Sequence, residues 1–186
     1  MLNPSLLLYA ASVAAAPLTD GVCDEYAALG AERTELGGGQ SLWTHVDDDY
    51  VWFCFPVAAG DLGTVDLQLR APALDQEINL HVSAQLGEWP VAQPELAPDN
   101  AQSERWWNNR GWIANAERVN GMNLDGERPR YRFRPSEGRE LQLSRARFGS
   151  GQWQLRWEIR GITDSNGQRG SIHFPPGDGY HPLMVQ

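Results

Sequence analysis

Tyr50-Val51-Trp52-Phe53-Cys54-Phe55-Pro56-Val57 is the stretch that most constrains how this chain can fold. It is the densest apolar run, rich in aromatic and β-branched residues, with Asp47-Asp48-Asp49 before it and Ala58-Ala59-Gly60-Asp61 after. A short apolar run bounded by turns reads as a strand buried on both faces. Alternation sends Val51, Phe53, Phe55 and Val57 one way and Tyr50, Trp52 and Cys54 the other. A strand wet on neither side belongs in the middle of a layered structure.

The rest of the chain repeats a half-buried version of that pattern. Val65, Leu67 and Leu69 alternate with Asp66, Gln68 and Arg70, and Ile78, Leu80 and Val82 follow suit. Tyr131 and Phe133 alternate with Arg132 and Arg134; Leu141 and Leu143 continue the series, and Trp153 to Arg160 is its most regular member. Ile172 and Phe174 close it. No helical periodicity of any length interrupts these strands, and Gly, Pro, Asn and Asp turns separate them. The expectation is an all-β, jelly-roll-like antiparallel β-sandwich over residues 41–174. Its core would hold Val51, Phe53, Phe55, Val65, Leu67, Leu69, Ile78, Leu80, Val82, Tyr131, Phe133, Leu155, Trp157 and Ile159. Leu36-Gly37-Gly38-Gly39 reads as a linker ahead of a first strand at Ser41–Val46, and residues 175–186 as a C-terminal tail.

Ahead of the sandwich, Leu6 to Ala16 is an apolar run ending in small residues. It is too short to span a bilayer and suits a secretory signal peptide over residues 1–16, although Met1-Leu2-Asn3-Pro4-Ser5 carries no positive charge. Nothing later is long enough to cross a membrane as a helix. Cys23 and Cys54 are the only two cysteines. In an exported chain they pair by default, tying an N-terminal segment (17–40) to the central strand. Two cysteines without a nearby histidine make no zinc site.

Charge is unevenly placed. Residues 1–100 hold 2 arginines and 15 acidic residues, residues 101–186 hold 13 and 9, and lysine is absent. The net charge of -9 argues against general nucleic-acid binding. The halves would neutralise each other across facing sheets. Arg130, Arg132, Arg134, Arg145, Arg147, Arg156 and Arg160 fall at strand spacing. They would form either an anion-binding face or an ordinary solvent face paired to Glu137, Glu140 and Glu158.

One segment breaks the rhythm. From 87 to 129 no strand pattern holds, yet the segment carries four tryptophans, which argues against disorder. Within it, Trp106, Trp107, Asn108, Asn109, Arg110 and Trp112 offer the mixture a sugar site uses, with indoles for C–H faces and amide or guanidinium groups for hydroxyls. The same rings would equally serve as a plug for one edge of the sandwich, or as anchors for a protein partner.

Leu36-Gly37, Asp47 and Asp49 before Tyr50-x-x-Phe53, Ala59-Gly60, Val65/Leu67/Leu69 and Asp75 ahead of Ile78-x-Leu80 resemble the bacterial pre-peptidase C-terminal domain. Gly151-x-Trp153-x-Leu155 is similar to that family's closing strand. The resemblance covers about half the chain and implies a small sandwich that accompanies secreted peptidases. The Trp-rich insertion departs from it, and jelly-roll carbohydrate-binding modules match almost as well.

Catalytic signatures are missing from the sequence. His45, His81, His173 and His181 form no metal-binding spacing, with His81 and His173 on the solvent side of their strands. Neither a Gly-x-Ser-x-Gly elbow nor a phosphate loop is present. Glu88 is the one carboxylate set beside a tryptophan in the insertion. Asp47 and Asp49 could give oxygens to a structural Ca²⁺, with Asp164 or Asn166 beside them, or simply form a solvated acidic turn. No other cofactor is expected. Two functions fit: a non-catalytic, secreted or periplasmic carbohydrate-binding module, or an accessory subunit docked on another exported protein.

Overall fold

The computed structural model describes residues 16–58, 60–115, 118–123, 130–134 and 136–186; the candidate signal peptide falls almost wholly before them. In chain order the elements are α1 (Glu25–Ala28), β1 (Glu32–Gly37), β2 (Gln40–Val46), β3 (Tyr50–Pro56), β4 (Thr64–Arg70), β5 (Ile78–Val82) and β6 (Leu86–Pro90). There follow β7 (Trp112–Ala114), β8 (Arg118–Asn123), β9 (Arg130–Arg134), β10 (Gly138–Ser144), α2 (Arg145–Phe148), β11 (Gly151–Thr163), β12 (Arg169–Phe174) and β13 (His181–Val185). None of the described helices is long and apolar enough to cross a membrane.

The strands form an antiparallel β-sandwich, as the alternation implies. One sheet runs β1-β2-β3-β10-β7; the other runs β12-β11-β4-β5-β6, with β13 sharing the β12 side of the 13-residue β11. Inward positions of both sheets make one core: Val51, Phe53 and Phe55 from β3 meet Val65, Leu67, Leu69, Ile78, Leu80, Val82, Leu155, Trp157 and Ile159. Phe53 is fully buried and meets Trp157 edge to face at 5.0 Å. Burying such a ring is worth roughly 1.5–3 kcal/mol.

β3 is wet on neither side, for two different reasons. Its inward face belongs to that core. Its outward face carries Trp52 and Cys54, which the N-terminal segment covers with buried Tyr26 and the Cys23–Cys54 disulfide. Glu140 on β10 anchors the cover: its carboxylate accepts hydrogen bonds from the Gly21 amide (2.6 Å) and the Tyr26 hydroxyl (3.1 Å).

Four expectations need correcting. Leu36-Gly37-Gly38-Gly39 is no linker; it closes the β1–β2 hairpin, with Gly37, Gly38 and Gly39 at φ of 94, 62 and 81°. Such angles suit glycine. The segment 87–129 contains strands, because β6 extends into it and β7 pairs with β10. Tyr131 and Phe133 lie on β9, which pairs with β8 in a separate two-stranded sheet rather than in the sandwich; their side chains lie outside the described residues. The C-terminal tail ends as β13, where Val185 is buried, and just ahead of that strand Tyr180 stacks under the Arg70 guanidinium at 4.1 Å.

The arginines do not share one face either. Arg145 and Arg147 sit in α2, and Arg156 and Arg160 on β11. Their partners differ from those expected: Arg147 pairs with Glu88, Arg156 with Asp178 and Arg160 with Asp66. Arg160 and Asp66 belong to neighbouring strands of one sheet, so the two halves of the chain neutralise each other there within a layer.

Candidate functional site

Among the described residues, the solvent face of the second sheet is not covered like that of the first. Alternation on five strands aligns its outward residues in rows. Register places His173, Glu158, Asp66, His81 and Gly87 in one row, and Arg156, Gln68, Asn79 and Trp89 in the next. Over these rows lies a cleft of about 400 Å³, floored by Asp66, Gln68, Asn79, His81, Glu158 and Arg160 and walled by Trp89 and Trp106.

Asp66 organises the floor. Its Oδ1 accepts from Asn79 Nδ2 (2.7 Å) and lies 2.9 Å from His81 Nδ1, while its Oδ2 accepts from Arg160. Three neighbours on two strands, β5 and β11, are thereby held in one orientation. With Nδ1–H committed to Asp66, the other nitrogen of a neutral His81 ring is an acceptor.

The walls converge over Gly87. A Cβ at that position would stand 3.0 Å from Trp106 Cε3 and 3.6 Å from Trp89 Cζ3, so the missing side chain is the space the Trp106 ring occupies. Both indoles also meet the His81 ring, Trp106 at 5.3 Å and Trp89 at 5.9 Å between centroids. A backbone bond holds the loop on, the Trp107 amide donating to Leu86 O (2.7 Å), and within the loop Trp106 Nε1 donates to Asn100 O (2.8 Å).

The six loop residues singled out in the sequence part company here. Trp106 walls the cleft. Trp107 is 58% exposed and takes a positive φ of 61°, which turns it away from the path its neighbours follow. Asn108 accepts from the Glu88 amide and donates to the Glu88 carbonyl, both at 2.8 Å, as a neighbouring strand would. Asn109 donates to Trp112 O (2.8 Å). Arg110 is exposed, at the mouth of a second cleft. Trp112 is 3% exposed and packs in the core, its Nε1 donating to Glu88 Oε2 at 2.6 Å. Glu88 is thus a tie: it also takes both terminal nitrogens of Arg147 (2.7 and 2.8 Å).

Asp47 and Asp49 form a capped turn. Asp47 Oδ1 accepts from the Asp49 and Tyr50 amides, and Oδ2 from Trp52 Nε1 (2.9 Å). Burial pushes the Asp47 carboxyl up, but these donors outweigh it and hold it below the usual carboxylate range. Asp164 likewise caps its own turn, accepting from the Asn166 and Gln168 amides.

Sequence reasoning missed the floor. Asp66, Gln68, Asn79 and Glu158 look like ordinary solvent-side residues until the register lines them up. One clue was available: Gly87 inside a strand marks a close approach by something else.

The sequence matches no family model and no curated protein. Two solved structures are similar in outline. A family 9 carbohydrate-binding module from Caldicellulosiruptor kristjanssonii in complex with glucose matches at 11% identity and a TM-score of 0.48, over 92% of each chain. A candidate carbohydrate-binding protein from Bacteroides uniformis matches at 10% identity and 0.45, over 88% of this chain and 92% of that one. At these scores neither bears on function, and the resemblance to the pre-peptidase C-terminal domain gains nothing from them.

Proposed function

We propose that this chain is a non-catalytic, exported module that binds carbohydrate in the cleft between Trp89 and Trp106. The observation that carries the reading is the pair of indoles converging over Gly87 beside a polar floor. Indole faces cover the C–H surface of a sugar ring, and the carboxylate, amide, imidazole and guanidinium groups of the floor take its hydroxyls. Asp66 is better suited to positioning than to proton transfer, since both its oxygens already accept hydrogen bonds from the protein. The bonded cysteine pair and the apolar run before Pro17 support export to the periplasm or the medium.

A glycan array on the purified chain tests the reading. Trp106→Ala and Trp89→Ala should each weaken the strongest array ligand by about tenfold or more, one sugar-stacking contact being worth ~1.4 kcal/mol. Wild-type protein that binds no glycan on the array would sink the sugar reading. It would leave docking to an exported protein in front, with the exposed Trp107 as the natural anchor.

A further inference from the structure

One charge on the floor of the cleft is left unanswered. Cross-strand register sets Glu158 of β11 directly opposite Asp66 of β4. Like charges that face each other across strands destabilise a sheet unless something neutralises them. Asp66 is neutralised, because Arg160 pairs with it while Asn79 and His81 hold its other oxygen. Glu158 is not. Among the described residues its side chain accepts no hydrogen bond and makes no ion pair, not even with His173, its register partner on β12. The arginines two positions to either side of it pair elsewhere, Arg156 with Asp178 and Arg160 with Asp66.

This carboxylate lines the same cleft as Trp89 and Trp106. His81, whose ring both indoles meet, lies two strands from Glu158, ~10 Å between backbones at the usual spacing. A sugar ring against the indoles can thus carry a substituent past Asp66 to the Glu158 carboxylate. A hydroxyl there would give a hydrogen bond and leave the charge standing. A protonated amino group would give a charge-assisted hydrogen bond and cancel it, and the indole faces attract the same cation. N-acetylation would remove that charge and with it the advantage.

Resting on the carbohydrate reading above, we propose that the cleft selects an amino sugar, with the indoles taking the ring and Glu158 the ammonium group.

Calorimetric titration of the whole chain with three trisaccharides tests this: β-1,4-linked glucosamine, N-acetylglucosamine and glucose, which differ only at the C2 substituent. The buffer keeps the amine protonated and holds about 0.15 M salt, where charges farther than ~8 Å are largely screened. The glucosamine trisaccharide should bind at least about tenfold tighter than the glucose one, the worth of one hydrogen bond between charged groups. The N-acetyl form should show no such gain. Glu158→Gln should bring the ratio close to one while melting like the wild type. Glu32→Gln makes the same change in net charge at an exposed position on β1, in the other sheet, and should leave the ratio alone. A ratio that survives Glu158→Gln, or that Glu32→Gln lowers as much, would overturn the assignment and reduce the preference to general attraction by a chain of net charge -9. Equal affinity for all three, or a neutral glycan leading the array, would overturn the amino sugar and leave the carbohydrate reading standing. Binding of none of the three, with an array equally blank, would remove the carbohydrate reading itself.

Discussion

Trp107 and Trp112 stand five positions apart and do opposite work. Trp112→Ala should lower unfolding free energy by about 3–5 kcal/mol, the usual cost of truncating a buried indole. Trp107→Ala should fall within about 0.5 kcal/mol of wild type, as exposed substitutions do. Denaturant curves on both variants check this, and equal losses would contradict the burial difference. Nothing local could have separated the two rings, because Trp112 is turned inward by Glu88, 24 positions away, which Arg147 holds from 59 positions away. Glu140 is a second residue whose character comes from its surroundings. Burial raises its carboxyl to about 7, against the Gly21 and Tyr26 hydrogen bonds that lower it, with Glu25 and Asp20 adding repulsion. Between about 4.5 and 7 the folded protein therefore holds a proton that the unfolded chain has released. Stability should fall as pH rises through that window, by on the order of 2–3 kcal/mol. Glu140→Gln should flatten the slope, and a wild-type melting temperature flat from pH 5 to 8 would refute the assignment. Asp47 works in the other direction at lower pH, where protonating its depressed carboxyl loses the turn.

Elements with a pattern of their own were legible, and elements defined by a partner were not. β3, β4, β5 and β11 announce themselves by composition or strict alternation. β7 is three residues that count as a strand only because β10 offers an edge, and β13 exists because β11 is long enough to take two partners. Tyr131 to Arg134 alternates as well as any sandwich strand, yet a neighbouring hairpin strand claimed it. Alternation reports two faces without saying what lies against either. The disulfide belongs to this scale, because it fastens a whole segment over β3. Replacing Cys23 and Cys54 with Ser together should cost about 3–4 kcal/mol for a bond that bridges 31 positions. It should also speed hydrogen exchange across residues 17–29 and raise the fluorescence response of Trp52. A double variant as stable and as slow to exchange as wild type would show that Tyr26 and Glu140 hold the cover unaided.

Among the described residues the sandwich treats its two outer faces unequally, one under a covalently tied cover and the other open over the cleft between Trp89 and Trp106. The two layers could be read from the sequence; which face stays open could not, since that depends on cross-strand register and on where the N-terminal segment lands. The cleft's floor is therefore the part of the candidate site that sequence alone leaves dark, while its Trp106 wall was visible. The inequality reaches the rim as well. β6 ends its sheet, and the strand order would let another chain add there. The Asn108 amide fills both backbone positions of Glu88 that an incoming strand would need. A single side chain thus acts as a stopper against self-assembly, the task that edge strands elsewhere give to charges, prolines or bulges. Asn108→Ala should leave the fold intact and make the protein associate with rising concentration, as light scattering would report. A variant that stays monodisperse would mean that the Trp107 amide on Leu86 guards the edge alone.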